Sequence, residues 1–286
     1  MKSKKAIRIF NDATAIVTGG ASGIGRALAE ELARRGAEVV LADLQIEMAQ
    51  EVATQIQTSG GRAKAVEVDV TDFPAMQRLV RKTFESSGRL DYIFNNAGIA
   101  IGGTANYYSI EDWNKIIDIN LRGVVNGIQA AYKIMIEQGF GHIVNTASMA
   151  GLMPNPAGVA YAATKHAVVG LSKSLRVEVE AAQLGIRVSV ICPGVIRTPI
   201  LEGGKYGKIL MNIPDEKLRD MWKKFKPMSP DIFAKKVVNA IAKNKAIIVV
   251  PSLWKLIWWL NRLSPTLGMA FAQKCFKKIQ EEFDLL

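Results

Sequence analysis

Residues 14–25, TAIVTGGASGIG, decide the fold of this chain of 286 residues. A run rich in β-branched residues leads directly into a cluster of glycines, and a helix-forming stretch follows. Glycine allows a sharp turn and lets the N–H groups at the start of a helix approach a phosphate. The segment therefore predicts a strand, a phosphate-binding turn and a helix, which is the first unit of a parallel α/β sheet.

The same alternation of strand and helix continues along the chain. Several predicted strands are apolar without alternation, as is typical of parallel strands with helices on both faces. The predicted strands cover residues 14–19, 37–43, 65–69, 91–96, 141–148, 186–194 and 246–250, and the main helices cover 23–35, 45–58, 73–86 and 158–183. The pattern predicts a doubly wound parallel sheet in three α/β/α layers.

Two regions depart from this rhythm. Residues 195–230 are rich in Gly, Lys, Met and Pro, with EGGKYGK at 202–208 as the loosest part. This region follows the carboxyl end of a strand, where ligands bind in open α/β sheets, so we predict a flexible substrate flap. We assign residues 1–250 to one α/β domain and residues 251–286 to a C-terminal amphipathic helical extension.

Composition narrows the function further. The formal net charge is +11, concentrated near both ends, yet no nucleic-acid-binding module accompanies it, so no nucleic-acid partner is expected. The basic charge also suits anionic lipid head groups or acidic partners. Two distant cysteines favour a reducing, cytoplasmic location, and two histidines make a metal site improbable, so no metal is expected.

Acidic and amide residues follow three further predicted strands. Asp43 closes the second strand, where its carboxylate can accept hydrogen bonds from the ribose hydroxyls of adenosine. A 2′-phosphate would meet a like charge there, so NAD is favoured and NADP is the alternative. Asp69-Val70 ends the third strand, where the acid could meet the adenine amino group, and NNAG at 95–98 gives a polar bend beside the cofactor.

The order of motifs resembles the short-chain dehydrogenase/reductase family over roughly residues 12–200. The motifs are TGGASGIG at 18–25, Asp43, NNAG at 95–98, Asn120, Ser148, YAATK at 161–165 and PGVIRTP at 193–199. The resemblance implies a Rossmann-like fold and hydride transfer between a nicotinamide and an alcohol or carbonyl. It also implies a homodimer or homotetramer, formed through the helices that carry residues 109–137 and 158–183.

The resemblance assigns catalytic roles to Asn120, Ser148, Tyr161 and Lys165. Tyr161 and Lys165 are four residues apart on one helical face, and a nearby ammonium is expected to lower the pKa of the phenol, making Tyr161 a general acid/base. Ser148 would hold the substrate oxygen, and Asn120 would position a water that links Lys165 to solvent. The cofactor-binding residues are then Gly19, Ser22, Gly23, Ile24, Gly25, Asp43, Asp69, Val70, Asn96, Ala97, Gly98, Tyr161, Lys165, Pro193, Gly194, Val195 and Thr198.

The tail leaves two interpretations open. In PSLWKLIWWLNRL at 251–263, helical spacing places the apolar residues Leu253, Leu256, Ile257, Leu260 and Leu263 on one side, with Trp258 close to it. Such a helix can cover the substrate pocket or a subunit contact. Tryptophan and lysine together also suit a membrane interface, so peripheral membrane contact through 251–286 is the alternative. Either interpretation favours a hydrophobic alcohol or ketone as substrate.

The sequence thus predicts an NAD-dependent oxidoreductase with Tyr161 as general acid/base. Two alternatives remain at this point. One is an NADP-dependent reductase of the 3-ketoacyl type, for which the basic flap would bind an acidic carrier. The other is a dinucleotide-binding sensor or membrane-recruited scaffold without turnover, which leaves the four catalytic candidates unexplained.

Overall fold

The computed structural model describes residues 6–201, 206–211 and 213–283. Its central sheet has seven strands, every neighbouring pair is parallel, and the order is β3-β2-β1-β4-β6-β7-β9. These strands are β1 Thr14–Thr18, β2 Glu38–Asp43, β3 Arg62–Glu67, β4 Tyr92–Asn95, β6 Gly141–Thr146, β7 Ile186–Pro193 and β9 Ile247–Val250. The predicted doubly wound parallel sheet is confirmed.

Helices connect the strands and cover both faces of the sheet. They are α1 Gly23–Arg34, α2 Ile46–Thr58, α3 Phe73–Ser87, α4 Ile110–Ile117, α5 Gly123–Gln138, α6 Val159–Ala181, α7 Asp215–Lys224, α8 Pro230–Ala242, α9 Leu253–Leu263 and α10 Pro265–Phe283. A π-helical turn over Asp118–Arg122 joins α4 to α5. None of the helices within the described residues is both long and apolar enough to cross a bilayer.

The two faces of the sheet bury separate cores, which explains the unbroken apolar strands. In β1, Ala15 and Val17 pack in the core that α1, α2 and α8 cover, whereas Ile16 packs in the core that α3, α5 and α6 cover. Successive side chains of a strand point to opposite faces, so both must be apolar where both faces are buried.

The third strand lies earlier than predicted. It covers Arg62–Glu67 instead of residues 65–69, and it is an edge strand of the sheet. Arg62 is exposed and Ala63 is buried, so the strand begins with a polar residue that can remain in water. The predicted bounds were wrong here because an edge strand keeps part of its surface in solvent, so its first residues need not be apolar.

The predicted flap contains regular structure. Strand β8 (Gly207–Ile209) pairs in parallel with β5 (Ala100–Gly102) in a separate two-stranded sheet, and α7 follows. The first residues of the predicted loose segment, 202–205, lie outside the described residues. The flexibility of the flap stays a prediction.

Helix α9 packs against the α/β domain with a different side from the apolar side that its spacing predicts. Trp254 and Trp258 are partly buried and pack against the core that α3, α5 and α6 cover. Leu253, Leu256 and Leu260 instead are exposed. The apolar side predicted from spacing is therefore mainly the outer side, because the tryptophans, with larger rings, make the contact with the body.

Candidate functional site

The turn between β1 and α1 has the shape of a phosphate cradle. Gly19 and Gly23 have φ values of +64° and +53°, which side chains with a Cβ rarely adopt. A Cβ on Gly25 would lie 1.9 Å from the Gly19 carbonyl oxygen, so the backbone closes on itself here. Ser22 caps α1 without a side-chain hydrogen bond, which leaves the N–H groups of Ile24 and its neighbours facing outward from the helix start.

Asp43 lies beside this cradle at the end of β2. Its Oδ2 accepts a hydrogen bond from the Ala21 N–H at 2.9 Å, and its Oδ1 accepts one from the Gln45 N–H at 3.0 Å. The side chain is 9% exposed, so the carboxylate is held in place at the rim of the turn. The cradle and this acidic residue together fit a dinucleotide.

The predicted adenine contact at Asp69 is separated from the strand end. Strand β3 ends at Glu67, and Asp69 is exposed. Its Oδ1 accepts hydrogen bonds from the N–H and the hydroxyl of Thr71, both at 2.8 Å. Val70 is buried, and its carbonyl accepts a hydrogen bond from Asn126 Nδ2 at 2.9 Å. In the described structure Asp69 thus stabilises a turn, and its role toward adenine stays a prediction.

The NNAG segment is tied to the first strand by a residue that the sequence analysis missed. The Thr18 hydroxyl accepts hydrogen bonds from the N–H groups of Asn96 and Ala97, at 2.9 and 3.1 Å, and donates to the Phe94 carbonyl at 3.2 Å. Asn96 Nδ2 also donates to the Thr18 carbonyl at 3.1 Å. A threonine at the end of a strand, directly before the glycines, was the available signal.

The four predicted catalytic side chains come from different elements and lie in one region. Ser148 follows β6, Tyr161 and Lys165 lie on α6, and Asn120 lies in the π-helical turn. Ser148 and Tyr161 share a side-chain hydrogen bond. Lys165 Nζ lies 5.5 Å from the centroid of the Tyr161 ring and donates to the Thr146 carbonyl at 3.0 Å.

Burial changes the pKa of Tyr161 in the direction opposite to the predicted one. Desolvation raises the pKa of the phenol above 10.0, and the hydrogen bond with Ser148 opposes this rise. Lys165 is itself buried and directs its ammonium toward the Thr146 carbonyl, and it does not lower the pKa of the phenol. The expected lowering of the Tyr161 pKa by Lys165 was wrong for this state of the protein.

Burial also lowers the pKa of Lys165, from 10.5 to about 8. Between these values the unfolded chain binds more protons than the native chain, so Lys165 makes the free energy of unfolding rise with pH. Between about pH 7 and about pH 9 we expect this contribution to reach about 1 kcal/mol, and Lys165→Met should remove it. Urea unfolding over this pH range measures the difference.

A limit on the pH range and a control variant isolate the contribution of Lys165. Burial raises the pKa of Cys192 from 9.0 to about 12. Above about pH 9 this thiol makes the free energy of unfolding fall with pH, so the unfolding measurements must end at that pH. Lys173→Met, on an exposed position of the same helix, is the matched control and should leave the pH slope unchanged. Equal slopes for wild type and Lys165→Met would contradict a depressed Lys165 pKa.

Asn120 uses its side chain to hold neighbouring residues. Its Oδ1 accepts from the Ile99 N–H at 2.8 Å, and its Nδ2 donates to the Ile99 carbonyl at 2.9 Å and to the Thr164 hydroxyl at 3.4 Å. A Cβ on Gly98 would lie 3.1 Å from Asn120 Oδ1 and 3.5 Å from Lys165 Nζ. Asn120 therefore orients the NNAG bend and α6. A water-mediated link to Lys165 stays a prediction.

The segment after β7 reaches the phosphate cradle. A Cβ on Gly23 would lie 3.3 Å from Cβ and Cγ2 of Thr198, so these two predicted cofactor-binding residues are neighbours. Pro193 ends β7, and the Val195 carbonyl accepts a hydrogen bond from the Met228 N–H at 3.0 Å. This segment can therefore line a ligand that extends from the cradle.

Helix α9 packs against this region, although it lies outside the family motifs. A Cβ on Gly194 would lie 2.3 Å from Nε1 of the Trp254 indole, so only glycine leaves room for this contact. Asn261 Nδ2 donates to the Leu152 carbonyl, just after the Ser148 turn, at 3.4 Å. The C-terminal extension therefore packs beside both the Ser148 turn and the segment that begins at Gly194.

Three buried polar side chains form a hydrogen-bonded chain between strands of the sheet and α6. The sequence analysis did not predict this chain. Asn95 Nδ2 donates to Asn145 Oδ1 at 2.8 Å, and Asn145 Nδ2 donates to the Ser172 hydroxyl at 2.9 Å. These three buried side chains connect β4, β6 and α6. The amides at the ends of two predicted strands were visible in the sequence, but their pairing depends on the order of the strands.

Known proteins share both the sequence and the architecture. A model for the family described as short chain dehydrogenase matches residues 13–205. Oxidoreductase UcpA from Salmonella typhimurium is 43% identical over 190 residues, or 66% of this chain and 71% of that protein. The 2,5-dichloro-2,5-cyclohexadiene-1,4-diol dehydrogenase LinX from Sphingobium indicum is 39% identical over 186 residues, or 65% of this chain and 74% of that protein.

Among solved structures, a short chain dehydrogenase/reductase from Burkholderia phymatum in complex with NAD is similar over most of the chain. The TM-score is 0.82 and the identity 29%, over 91% of this chain and 96% of that chain.

Proposed function

This chain belongs to the short chain dehydrogenase family of oxidoreductases, and on that premise we propose that it transfers a hydride between NAD and an alcohol or carbonyl carbon of a hydrophobic substrate. The observation that carries the proposal is the group formed by Ser148, Tyr161 and Lys165 beside a glycine cradle. A protein that only binds a dinucleotide would need the cradle but not this group.

In this proposal, three groups of residues hold different parts of the cofactor. Gly19, Gly23 and the start of α1 would hold the pyrophosphate, and Asp43 would accept hydrogen bonds from the adenosine ribose. Lys165 would hold the nicotinamide ribose. When bound, NAD would supply the hydride acceptor.

Tyr161 is the proposed general base for alcohol oxidation. Its hydroxyl would take the proton of the substrate alcohol, while Ser148 would hold the same substrate oxygen by a hydrogen bond. Because burial raises the pKa of Tyr161, the phenol strongly favours its protonated form, which suits donation of a proton in the reduction of a carbonyl. We infer that reduction needs no change in the resting protonation of Tyr161, whereas oxidation does.

The proposed substrate is hydrophobic, because apolar side chains lie beside the Ser148 turn and α9. Leu152 and Met153 follow the Ser148 turn and are partly buried with Trp254 and Trp258 in one apolar cluster. LinX acts on a chlorinated cyclic diol, as its name states, which supports cyclic alcohols as the first class to test.

The function is tested by turnover with a panel of cyclic and long-chain secondary alcohols. With NAD, we expect NADH formation, followed by its absorbance, for at least one member, and the reverse reaction with the matching ketone. Absence of turnover in both directions, with NADH still bound, would favour the sensor interpretation and contradict an enzyme. The expected homodimer or homotetramer is a separate proposal, which sedimentation velocity tests.

Cofactor choice gives a sharper prediction at Asp43. We expect the wild type to bind NADH at least about tenfold more tightly than NADPH, because the Asp43 carboxylate repels a 2′-phosphate. Asp43→Asn should narrow this ratio, since the carboxamide is neutral and keeps an acceptor for the Ala21 N–H. Fluorescence titration with both nucleotides measures it.

Glu47→Gln is the matched control for this prediction. Glu47 is exposed in the first turn of α2, so its substitution removes one nearby negative charge without touching the cradle. The ratio of the two affinities should then stay as in the wild type. Tighter binding of NADPH than NADH by the wild-type protein would refute the assignment and favour the NADP-dependent reductase.

A further inference from the structure

Helix α9 carries an apolar stripe that faces away from the protein. Half of the exposed large apolar side chains among the described residues lie between residues 253 and 271. On α9 they are Leu253, Leu256, Trp259, Leu260 and Leu263, each 54–77% exposed, and we call these five residues the outer stripe. The rest of the described surface has no comparable concentration of such residues.

The outer stripe lies opposite the side by which α9 docks. Trp254 and Trp258 pack in the core, and Asn261 bonds to the Leu152 carbonyl, so these three residues fix the inner side. At helical spacing the outer stripe falls on the other side of the helix axis. The helix is thus held to the body by one side and presents an ordered apolar side to its surroundings.

Positive charge lies close to this apolar side in the sequence. From residue 251 to residue 280 the sequence contains Lys255, Arg262, Lys274, Lys277 and Lys278 and no acidic residue. We call these five residues the basic fringe. The Arg262 guanidinium lies 5.9 Å from the ring centroid of Trp259, so charge and apolar surface are in direct contact.

This combination distinguishes between two possible occupants of the face. A second copy of the chain would bury the outer stripe, but a two-fold contact would also bring two basic fringes together, and like charges repel. An anionic bilayer instead matches both parts, because tryptophan and leucine enter the interface while lysine and arginine contact the head groups.

We propose that the outer stripe and the basic fringe dock the protein on the surface of an anionic lipid bilayer, with α9 lying in the plane of the head groups. The helix does not cross the bilayer. Since the inner side of α9 packs beside Gly194 and the Ser148 turn, docking brings this end of the sheet close to the lipid. The proposal concerns binding alone and does not depend on the proposed reaction.

Vesicle co-sedimentation of the full chain tests it. We expect the wild type to sediment with vesicles of phosphatidylcholine and phosphatidylglycerol, and to remain in solution with phosphatidylcholine alone. Leu256→Gln/Leu260→Gln/Leu263→Gln should weaken partitioning about 100-fold by removing apolar area. Lys274→Gln/Lys277→Gln/Lys278→Gln should weaken it about tenfold or more and reduce its dependence on salt.

The control variant is Ile232→Gln, which changes an apolar residue that is 50% exposed on α8. It should sediment like the wild type, and circular dichroism should show that all variants are folded. The proposal is overturned if the wild type does not bind anionic vesicles or if it binds both vesicle types equally. It is also overturned if the leucine variant binds anionic vesicles as tightly as the wild type. The same holds if sedimentation velocity shows that the wild type is an oligomer which the leucine variant dissociates, while the wild type does not bind anionic vesicles.

Discussion

Tyr161→Phe is expected to lower kcat/KM about a thousandfold or more in both directions, while the affinity for NADH stays within about twofold of the wild type. The substitution removes only the hydroxyl that exchanges a proton with the substrate oxygen, and general acid–base catalysis contributes about 10²–10⁴ in rate. Phenylalanine keeps the ring that lies 5.5 Å from Lys165 Nζ, so the packing of α6 is retained. Steady-state kinetics with the best alcohol of the panel, together with NADH titration, measures both quantities.

Tyr107→Phe is the matched control, because Tyr107 is 54% exposed and belongs to neither the cradle nor the reacting centre. Its kcat/KM should equal that of the wild type. Activity of Tyr161→Phe close to the wild-type value would refute the acid–base role of Tyr161. Loss of NADH binding in the same variant would instead indicate a structural effect or the predicted contact of the Tyr161 hydroxyl with the cofactor.

Gly25→Ala should lower NADH affinity about 100-fold or more and also destabilise the protein. The new Cβ would lie 1.9 Å from the Gly19 carbonyl oxygen and 2.6 Å from Asn96 Nδ2. Because the first of these is backbone, the cradle itself must move, and overpacking of this kind costs roughly 1–3 kcal/mol or more. NADH titration and urea unfolding report the two effects.

Gly170→Ala provides the comparison for this variant. Gly170 lies within α6, and a Cβ there would meet no atom within 4 Å. Alanine is favoured over glycine in a helix, so this variant should bind NADH normally and be slightly more stable. Normal NADH affinity in Gly25→Ala would contradict the assignment of the glycine turn to the pyrophosphate.

Much of the fold was predictable because local patterns and global packing agree. The glycines at 19, 23 and 25 set the first turn, and unbroken apolar strands such as β1 required helices on both faces. The start of β3 was missed because an edge strand contains exposed polar residues such as Arg62. The pairing of β5 with β8 joins short segments that are distant in sequence, and no local pattern predicts such a contact.

The residues of the candidate site could be chosen from the sequence, but the pKa shifts that their surroundings cause could not. Motif order identified Ser148, Tyr161 and Lys165, which the fold brings together. It could not show that burial raises the pKa of the phenol and lowers the pKa of the ammonium, because desolvation depends on neighbours from other elements. Likewise, apolar spacing identified α9 but not the side by which Trp254 docks.

The order of strands also has a consequence for how the protein folds. β1 pairs with β2 on one side and with β4 on the other, although β4 begins only at Tyr92. Every neighbour in the central sheet is parallel, so each pairing must close a long loop before it gains contacts, which makes folding slow. The dinucleotide cradle and the NNAG bend meet only when the β1 and β4 pairing has formed. A dinucleotide that needs both parts would therefore bind only the finished sheet, and its binding would stabilise the folded state relative to the unfolded chain.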